Sequence, residues 1–122
     1  MEKYYLAYGS NLNVRQMLAR CPEAQPIGTT YIPNYALQFK GSKTGAYLTI
    51  EKEEGSYVPA AVWKTNERDE AALDRYEGYP VFYYKAEMKL PVKLKGGKIR
   101  VLPVYVYIMH GTERRECRAL TT

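Results

Sequence analysis

The chain has 122 residues, 46% hydrophobic and 25% charged, a balance that suits one compact domain and excludes both a second core and wholesale disorder. It holds one histidine, His110, and two cysteines, Cys21 and Cys117, far apart and outside any C-x-x-C spacing, so no metal or cofactor is expected. The net charge of +5 fits an anionic substrate, nucleic acid or simple solubility, and only its distribution can decide among them.

His110 sits beside Gly111 with no orienting carboxylate nearby in sequence, which reads as a strand-end histidine rather than a catalytic base. No stretch reaches the roughly 18 apolar residues of a membrane span, and the first residues run directly into strand-like sequence. Isolated cysteines without a leader suit a reducing compartment, so a cytoplasmic protein away from membranes is expected.

The first element is the aromatic and aliphatic run at residues 4–8, too short for a helix and closed by Gly9, which predicts a strand buried on both faces. Gly9-Ser10-Asn11 makes a turn. Val14, Met17 and Leu18 then fall at i, i+3 and i+4, predicting a short helix over 13–20 capped by Asn11 or Asn13. Pro22 and Pro26 force a loop, and residues 28–40 read as a long strand broken at Pro33-Asn34. A turn over 41–45, a short strand over 46–50, a charged loop over 51–55 and a strand over 57–64 follow.

Asn66 predicts the cap of a helix over 67–77, with Glu67, Asp69 and Glu70 at its positive end and Ala72, Leu73 and Tyr76 as its buried stripe. Gly78 and Pro80 close it. The clearest alternation comes next: Phe82, Tyr84, Ala86, Met88, Leu90, Val92 and Leu94 on one face, with Lys85, Glu87, Lys89, Lys93 and Lys95 opposite, a half-buried strand. Gly96-Gly97 predicts a two-residue hairpin turn, and residues 99–109 return as its partner with Pro103 at a bulge or edge. From about residue 111 a short polar tail is expected. The sum predicts a single α+β domain over 1–122, a small, mixed, strongly coiled β-sheet or barrel of about six strands flanked by short helices.

Two places break local expectation. At Tyr8-Gly9-Ser10-Asn11-Leu12 a buried strand passes through a glycine into a helix start, where backbone N–H groups favour a carboxylate or a developing oxyanion; an ordinary capped turn has the same spacing. At Leu73-Asp74-Arg75-Tyr76-Glu77-Gly78 a carboxylate stands in the last turn of a helix, at the negative end of its dipole, which disfavours the ionised form if the group is buried. Glu77 so placed can move protons near neutral pH; by position alone a solvated surface glutamate is the commoner case, and Asp74 one turn earlier competes with it.

The segment Tyr5-Leu6-Ala7-Tyr8-Gly9-Ser10-Asn11-Leu12 and Met17, Arg20-Cys21-Pro22, Ala61-Val62-Trp63, Leu73-Asp74-Arg75-Tyr76-Glu77-Gly78 and Tyr83-Tyr84 together resemble the γ-glutamylcyclotransferase-like family, the AIG2-like group, over residues 4–109. The resemblance implies a small mixed barrel with a substrate cavity at its mouth and a cofactor-independent enzyme of transferase or lyase type. Its substrate would be a small γ-glutamyl amide, cyclised to 5-oxoproline with release of the amine. It further implies that Tyr5, Leu6, Ala7, Tyr8, Gly9, Ser10, Asn11 and Leu12 cradle the γ-glutamyl part, that Glu77 is the catalytic acid and base, and that Tyr83 and Tyr84 line the substrate. Family members carry a further site tyrosine beyond the last strand. This chain has no tyrosine after Tyr107, so the mouth is expected to be shorter or completed differently.

Two other readings stand beside this one. A non-catalytic binding module could hold a small acidic metabolite or a protein tail on the same scaffold. The strip Lys85, Lys89, Lys93, Lys95, Lys98 and Arg100 with neighbouring tyrosines could serve single-stranded nucleic acid. Nucleic acid is not expected, because the aromatic residues of that strand share the buried face while the lysines face away and guard a long hairpin from edge pairing.

Overall fold

Successive side chains of a strand point to opposite faces, and a five-residue strand at the start of this chain buries both. The structure, a computed structural model describing residues 3–42 and 45–111, runs β1 (Lys3–Ala7), a 3-10 turn (Gly9–Leu12), α1 (Val14–Arg20), β2 (Gln25–Ser42), β3 (Gly45–Thr65), α2 (Glu67–Glu77), β4 (Tyr83–Leu94) and β5 (Ile99–Met109). The polar tail expected from about residue 111 falls almost wholly outside the described residues.

The strands close into a barrel in the order β1-β3-β2-β4-β5. Neighbours are antiparallel except at the closure, where β1 meets β5 in parallel through Tyr5 and Tyr105. Leu6 of β1 and Tyr8 just beyond it point into the barrel with Ile32, Val62, Val92 and Val106, whereas Tyr5 and Ala7 point outward into a second core with Trp63, Tyr105 and Tyr107. The helices cover this outer core with Met17 of α1 and Leu73 of α2. Among the described residues, no helix is long and apolar enough to cross a membrane.

Several local expectations are corrected. The charged segment 51–55 lies within β3, a 21-residue strand in which residues 53–56 fall outside the register with β2, and the barrel has five strands, near the six or so expected. The break expected at Pro33-Asn34 is a bulge in the β2–β3 ladder. Asn34 adopts φ 61° there, and its side-chain oxygen accepts from the Gly55 N–H at 3.1 Å, with Gly55 at φ 86°. The acidic residues that mimic a loop lie on the far arm of this hairpin, where Glu51 pairs with Lys40.

On α1, capped by Asn13, only Met17 of the apolar stripe is buried; Val14 and Leu18 are exposed. On α2, Tyr76 is exposed beneath the Arg20 guanidinium, 3.4 Å from its ring centre, and Asp69 takes the buried place because it closes a capping box with Asn66. Phe82 is exposed because β4 begins one residue later, at the buried Tyr83. The second hairpin turns through three residues, 95–97, between Leu94 and Lys98, whose backbone groups pair at 2.7 Å.

The barrel is also thin between β2 and β4, whose register holds two pairs, Gly28–Leu94 and Thr29–Lys93. The Thr30 hydroxyl donates to the Pro91 carbonyl at 2.7 Å and the Lys95 N–H to the Ile27 carbonyl at 3.2 Å, extending the seam. A Cβ at Gly28 would stand 2.4 Å from the Lys93 carbonyl oxygen, a backbone atom that cannot swing aside. Gly28→Ala is therefore expected to part the seam at a cost of roughly 2 kcal/mol. A lowered urea midpoint checks this; an unchanged midpoint contradicts it.

Candidate active site

The last turn of α2 is built to present Glu77. Gly78 takes the left-handed conformation, φ 69°, which a side chain would resist, since a Cβ there would also meet Phe82 at 2.6 Å. Its N–H and that of Tyr79 return to the Arg75 and Asp74 carbonyls at 3.3 and 2.9 Å, ending the helix at Glu77. Glu77 is half-buried.

Opposite stands the exit of β1. Parallel pairing sets the end of β1 beside the end of β5, and the Tyr8 hydroxyl donates to the Tyr107 carbonyl at 2.7 Å. The far arm of β3 meets the same end of the barrel. The Met109 N–H donates to the Thr49 hydroxyl at 2.9 Å, Thr49 in turn hydrogen-bonds Tyr8, and the Tyr83 hydroxyl donates to the Leu48 carbonyl at 3.0 Å. Gly9, at φ 62°, lets the chain turn directly under Leu48, whose Cδ2 would lie 1.8 Å from any Cβ.

Burial pushes the Tyr8 hydroxyl far above its ordinary value of 10; the Thr49 hydrogen bond opposes this and the Glu77 charge adds to it. The Tyr83 hydroxyl is pushed up to about 12, by burial first and then by Glu77. Both phenols stay protonated at neutral pH, and the Glu77 carboxylate acts on each of them.

Glu77 is the last of three carboxylates, Glu70, Asp74 and Glu77, spaced i, i+4 and i+7 along one stripe of α2. Lys3 and Lys85 each reach Glu70 at 2.6 Å, and Lys85 also approaches Asp74 at 3.1 Å. The Tyr107 hydroxyl donates to the same Asp74 oxygen, Oδ1, at 2.6 Å. Asp74, the competing acid of the sequence reading, is thus committed to an ion pair and a phenol. Burial alone would raise the Glu70 carboxyl, but hydrogen bonds from Lys3 and Lys85 outweigh it and hold the group below its ordinary value. Burial likewise opposes the Lys85 charge, and the bonds to Glu70 and Asp74 overturn that and raise it.

The structure brings Tyr8, Glu77, Tyr83 and Tyr84 together, Tyr84 lying close enough to Tyr8 to act on its hydroxyl. The side chains of Tyr5, Leu6 and Ala7 are wholly buried in the two cores, so this part of the segment supplies shape rather than accessible groups. The backbone of Gly9, Ser10, Asn11 and Leu12 forms the 3-10 turn beside them, with the Leu12 side chain exposed. His110 contacts the Pro80 carbonyl at 2.7 Å and stacks near Tyr84, a strand-end role.

Of the basic strip, Lys89, Lys93, Lys95, Lys98 and Arg100 are exposed, while Lys85 is withdrawn into the carboxylate network. Among the described residues, no three His, Cys, Asp or Glu side chains gather in a metal-binding arrangement. Thr49, Leu48 and Tyr107 were not singled out by the sequence reading; the alternation around Thr49 carries no sign that both faces of its strand would be covered.

The described residues thus form a small closed mixed barrel with a helix-end glutamate set against the exit of its first strand. The family model described as "Gamma-glutamyl cyclotransferase, AIG2-like" matches residues 5–121, and the chain belongs to that family. It is 32% identical over 97 residues to the gamma-glutamylcyclotransferase of Bos taurus, covering 74% of this chain and 49% of that protein. To the Homo sapiens gamma-glutamylcyclotransferase it is 35% identical over 81 residues, covering 61% and 43% respectively. The chain thus spans about half the length, or less, of these curated relatives. A solved structure titled "Gamma-glutamyl cyclotransferase" superposes with a TM-score of 0.71 at 28% identity, over 89% of this chain and 67% of that one.

Two outcomes follow from this geometry. Gly9→Ala is expected to cost about 1–2 kcal/mol from the left-handed backbone alone, and pairing it with Leu48→Ala should leave that cost in place, since only the clash is relieved; full recovery in thermal melts would contradict the backbone account. The α2 network should also shape stability against pH. Glu70 is lowered, so its contribution is present above its ordinary value of 4.5 and lost as pH falls through its folded value. Lys85 is raised, so its contribution is present below 10.5 and lost as pH rises through its folded value. Lys85→Met should flatten the alkaline limb of denaturant midpoint against pH; an unaltered limb would contradict the assignment.

Proposed function

We propose that the protein is a γ-glutamylcyclotransferase-like enzyme that converts a small γ-glutamyl amide to 5-oxoproline and a free amine, with Glu77 as base and then acid and no cofactor. The observation that carries this reading is the placement of Glu77 at the end of α2, where its charge reaches Tyr8 and Tyr83 beside the Gly9 turn. Membership of the family supports the reaction class.

Ring closure requires little beyond orientation, because nucleophile and carbonyl belong to one molecule. Glu77 takes a proton from the α-ammonium. The freed amine attacks the γ-carbonyl carbon, a C–N bond forms and the carbonyl oxygen gathers negative charge. Collapse of the tetrahedral species breaks the original amide C–N bond as Glu77 returns a proton to the leaving nitrogen. The further proton shed by the ring nitrogen ends on the released amine, so the reaction consumes no net acid or base. Backbone N–H groups from Gly9 onward are suited to hold either the α-carboxylate or the oxyanion. The protonated phenols of Tyr8 and Tyr83 wall the carboxylate off without competing for its proton.

Release of 5-oxoproline from a panel of γ-glutamyl amino acids and γ-glutamyl amines tests the reaction and identifies the leaving group. Glu77→Gln is expected to lower that release at least about a hundredfold while leaving the urea midpoint close to wild type. Undiminished release by this variant would overturn the role of Glu77. Calorimetric binding of 5-oxoproline by a wild-type protein that forms no product would instead support a non-catalytic binding module.

A further inference from the structure

Burial of apolar surface is non-directional, and α2 buries only one apolar side chain completely, Leu73. Apolar contact therefore holds the helix against the barrel without fixing its rotation closely. Directional contacts fall on Glu70 and, one turn nearer Glu77, on Asp74. Lys85 of β4 approaches its carboxylate at 3.1 Å and the Tyr107 hydroxyl of β5 donates to it at 2.6 Å, so two strands grip one side chain.

That grip lies at one end of the loop that carries Glu77. The Asp74 carbonyl accepts from the Tyr79 N–H at 2.9 Å, closing residues 74–79 around Glu77 and Gly78. The other end is held by the same lysine, whose Nζ stands 4.2 Å from the centre of the Tyr79 ring. Tyr107 also receives the Tyr8 hydroxyl on its backbone carbonyl. One residue thus references the helix turn to the strand exit that faces it.

We infer that Lys85 and Tyr107 are positioning residues for Glu77: by gripping Asp74 from β4 and β5 they set the last turn of α2 in register with Tyr8. The inference rests on the reading of Glu77 as the acid and base. Lys3 provides the contrast. It binds Glu70 on the same stripe, but seven residues before Glu77, about two helical turns away.

Kinetics on the γ-glutamyl amide panel, normalised to folded protein, test the idea. Tyr107→Phe and Lys85→Met are expected to lower kcat on the order of tenfold to a hundredfold with KM within about threefold. Lys85→Arg should restore most of it, and Lys3→Met should keep kcat within about twofold. Because Tyr107→Phe keeps the backbone carbonyl and the ring, it separates the grip on Asp74 from the bond to Tyr8. An active wild type with undiminished kcat in Tyr107→Phe overturns the inference. So does an equal loss in Lys3→Met, which would reduce the effect to general stability of α2. If the wild type releases no product from any amide, the reading of the reaction fails, and the positioning is judged without turnover by the carboxyl carbon resonance of Glu77, assigned through Glu77→Gln. A shift in Tyr107→Phe but not in Lys3→Met upholds the grip; no shift in Tyr107→Phe rejects it.

Discussion

The parallel contact between β1 and β5 is the constraint on which the remainder rests. β1 pairs with β3 on one side and β5 on the other, so it is the stave that closes the barrel. Its burial on both faces makes that closure favourable: Tyr5, Leu6 and Ala7 are hidden from solvent, and each of the two larger side chains contributes roughly 1.5–3 kcal/mol. Because the pairing is parallel, both strands run out of the barrel at the same end, and Tyr8 meets Tyr107 there. An antiparallel closure would have set the exit of β1 against Ile99, far from the turn that carries Glu77.

The second determinant is the distribution of charge along α2. Three carboxylates on one stripe would repel one another and the negative end of the helix if left uncompensated. Two are met by Lys3, Lys85 and the Tyr107 hydroxyl, with Lys85 and Glu70 both largely withdrawn from water. Such a network is poor as a source of net stability, since desolvating its members offsets most of their attraction, but it is geometrically demanding. The apolar contacts hold the helix on the barrel, and the ionic contacts specify how it is turned.

What could be read from the sequence follows from how local each signal is. The limits of α2 are legible because Asn66, the acidic first turn and Gly78 all act within one or two turns of the helix ends. β4 and β5 are legible because alternation is a property of the strand itself. The continuity of β3 was not, since the bulge joins Asn34 to Gly55 across the hairpin, and the charged run between strand-like segments looks like a loop until its partner strand is known. The stripe of α1 misled for the same reason: periodicity tells which residues share a face, not whether anything covers it. At the site, Glu77 was visible as a carboxylate at a helix end. Its distinction from Asp74 depends on Lys85 and Tyr107, 11 and 33 residues downstream of Asp74, and no local pattern carries that.

The excess of tyrosine, 13 against two phenylalanines, has a physical reading in this frame. A buried tyrosine must satisfy its hydroxyl, so it packs like phenylalanine but adds a directional bond at the far end of the ring. Tyr8 uses that bond to tie the exit of β1 to β5, Tyr83 to join β4 to β3, Tyr105 to reach Thr65 at the end of β3, and Tyr107 to hold α2. Each bond links two elements whose apolar contacts alone would tolerate sliding. Phenylalanine at these positions would keep the volume and lose the register. In a small barrel with a long two-stranded arm and only a two-pair seam between β2 and β4, register is the scarcer quantity, and two of the phenols that provide it, Tyr8 and Tyr83, also lie within reach of the Glu77 charge.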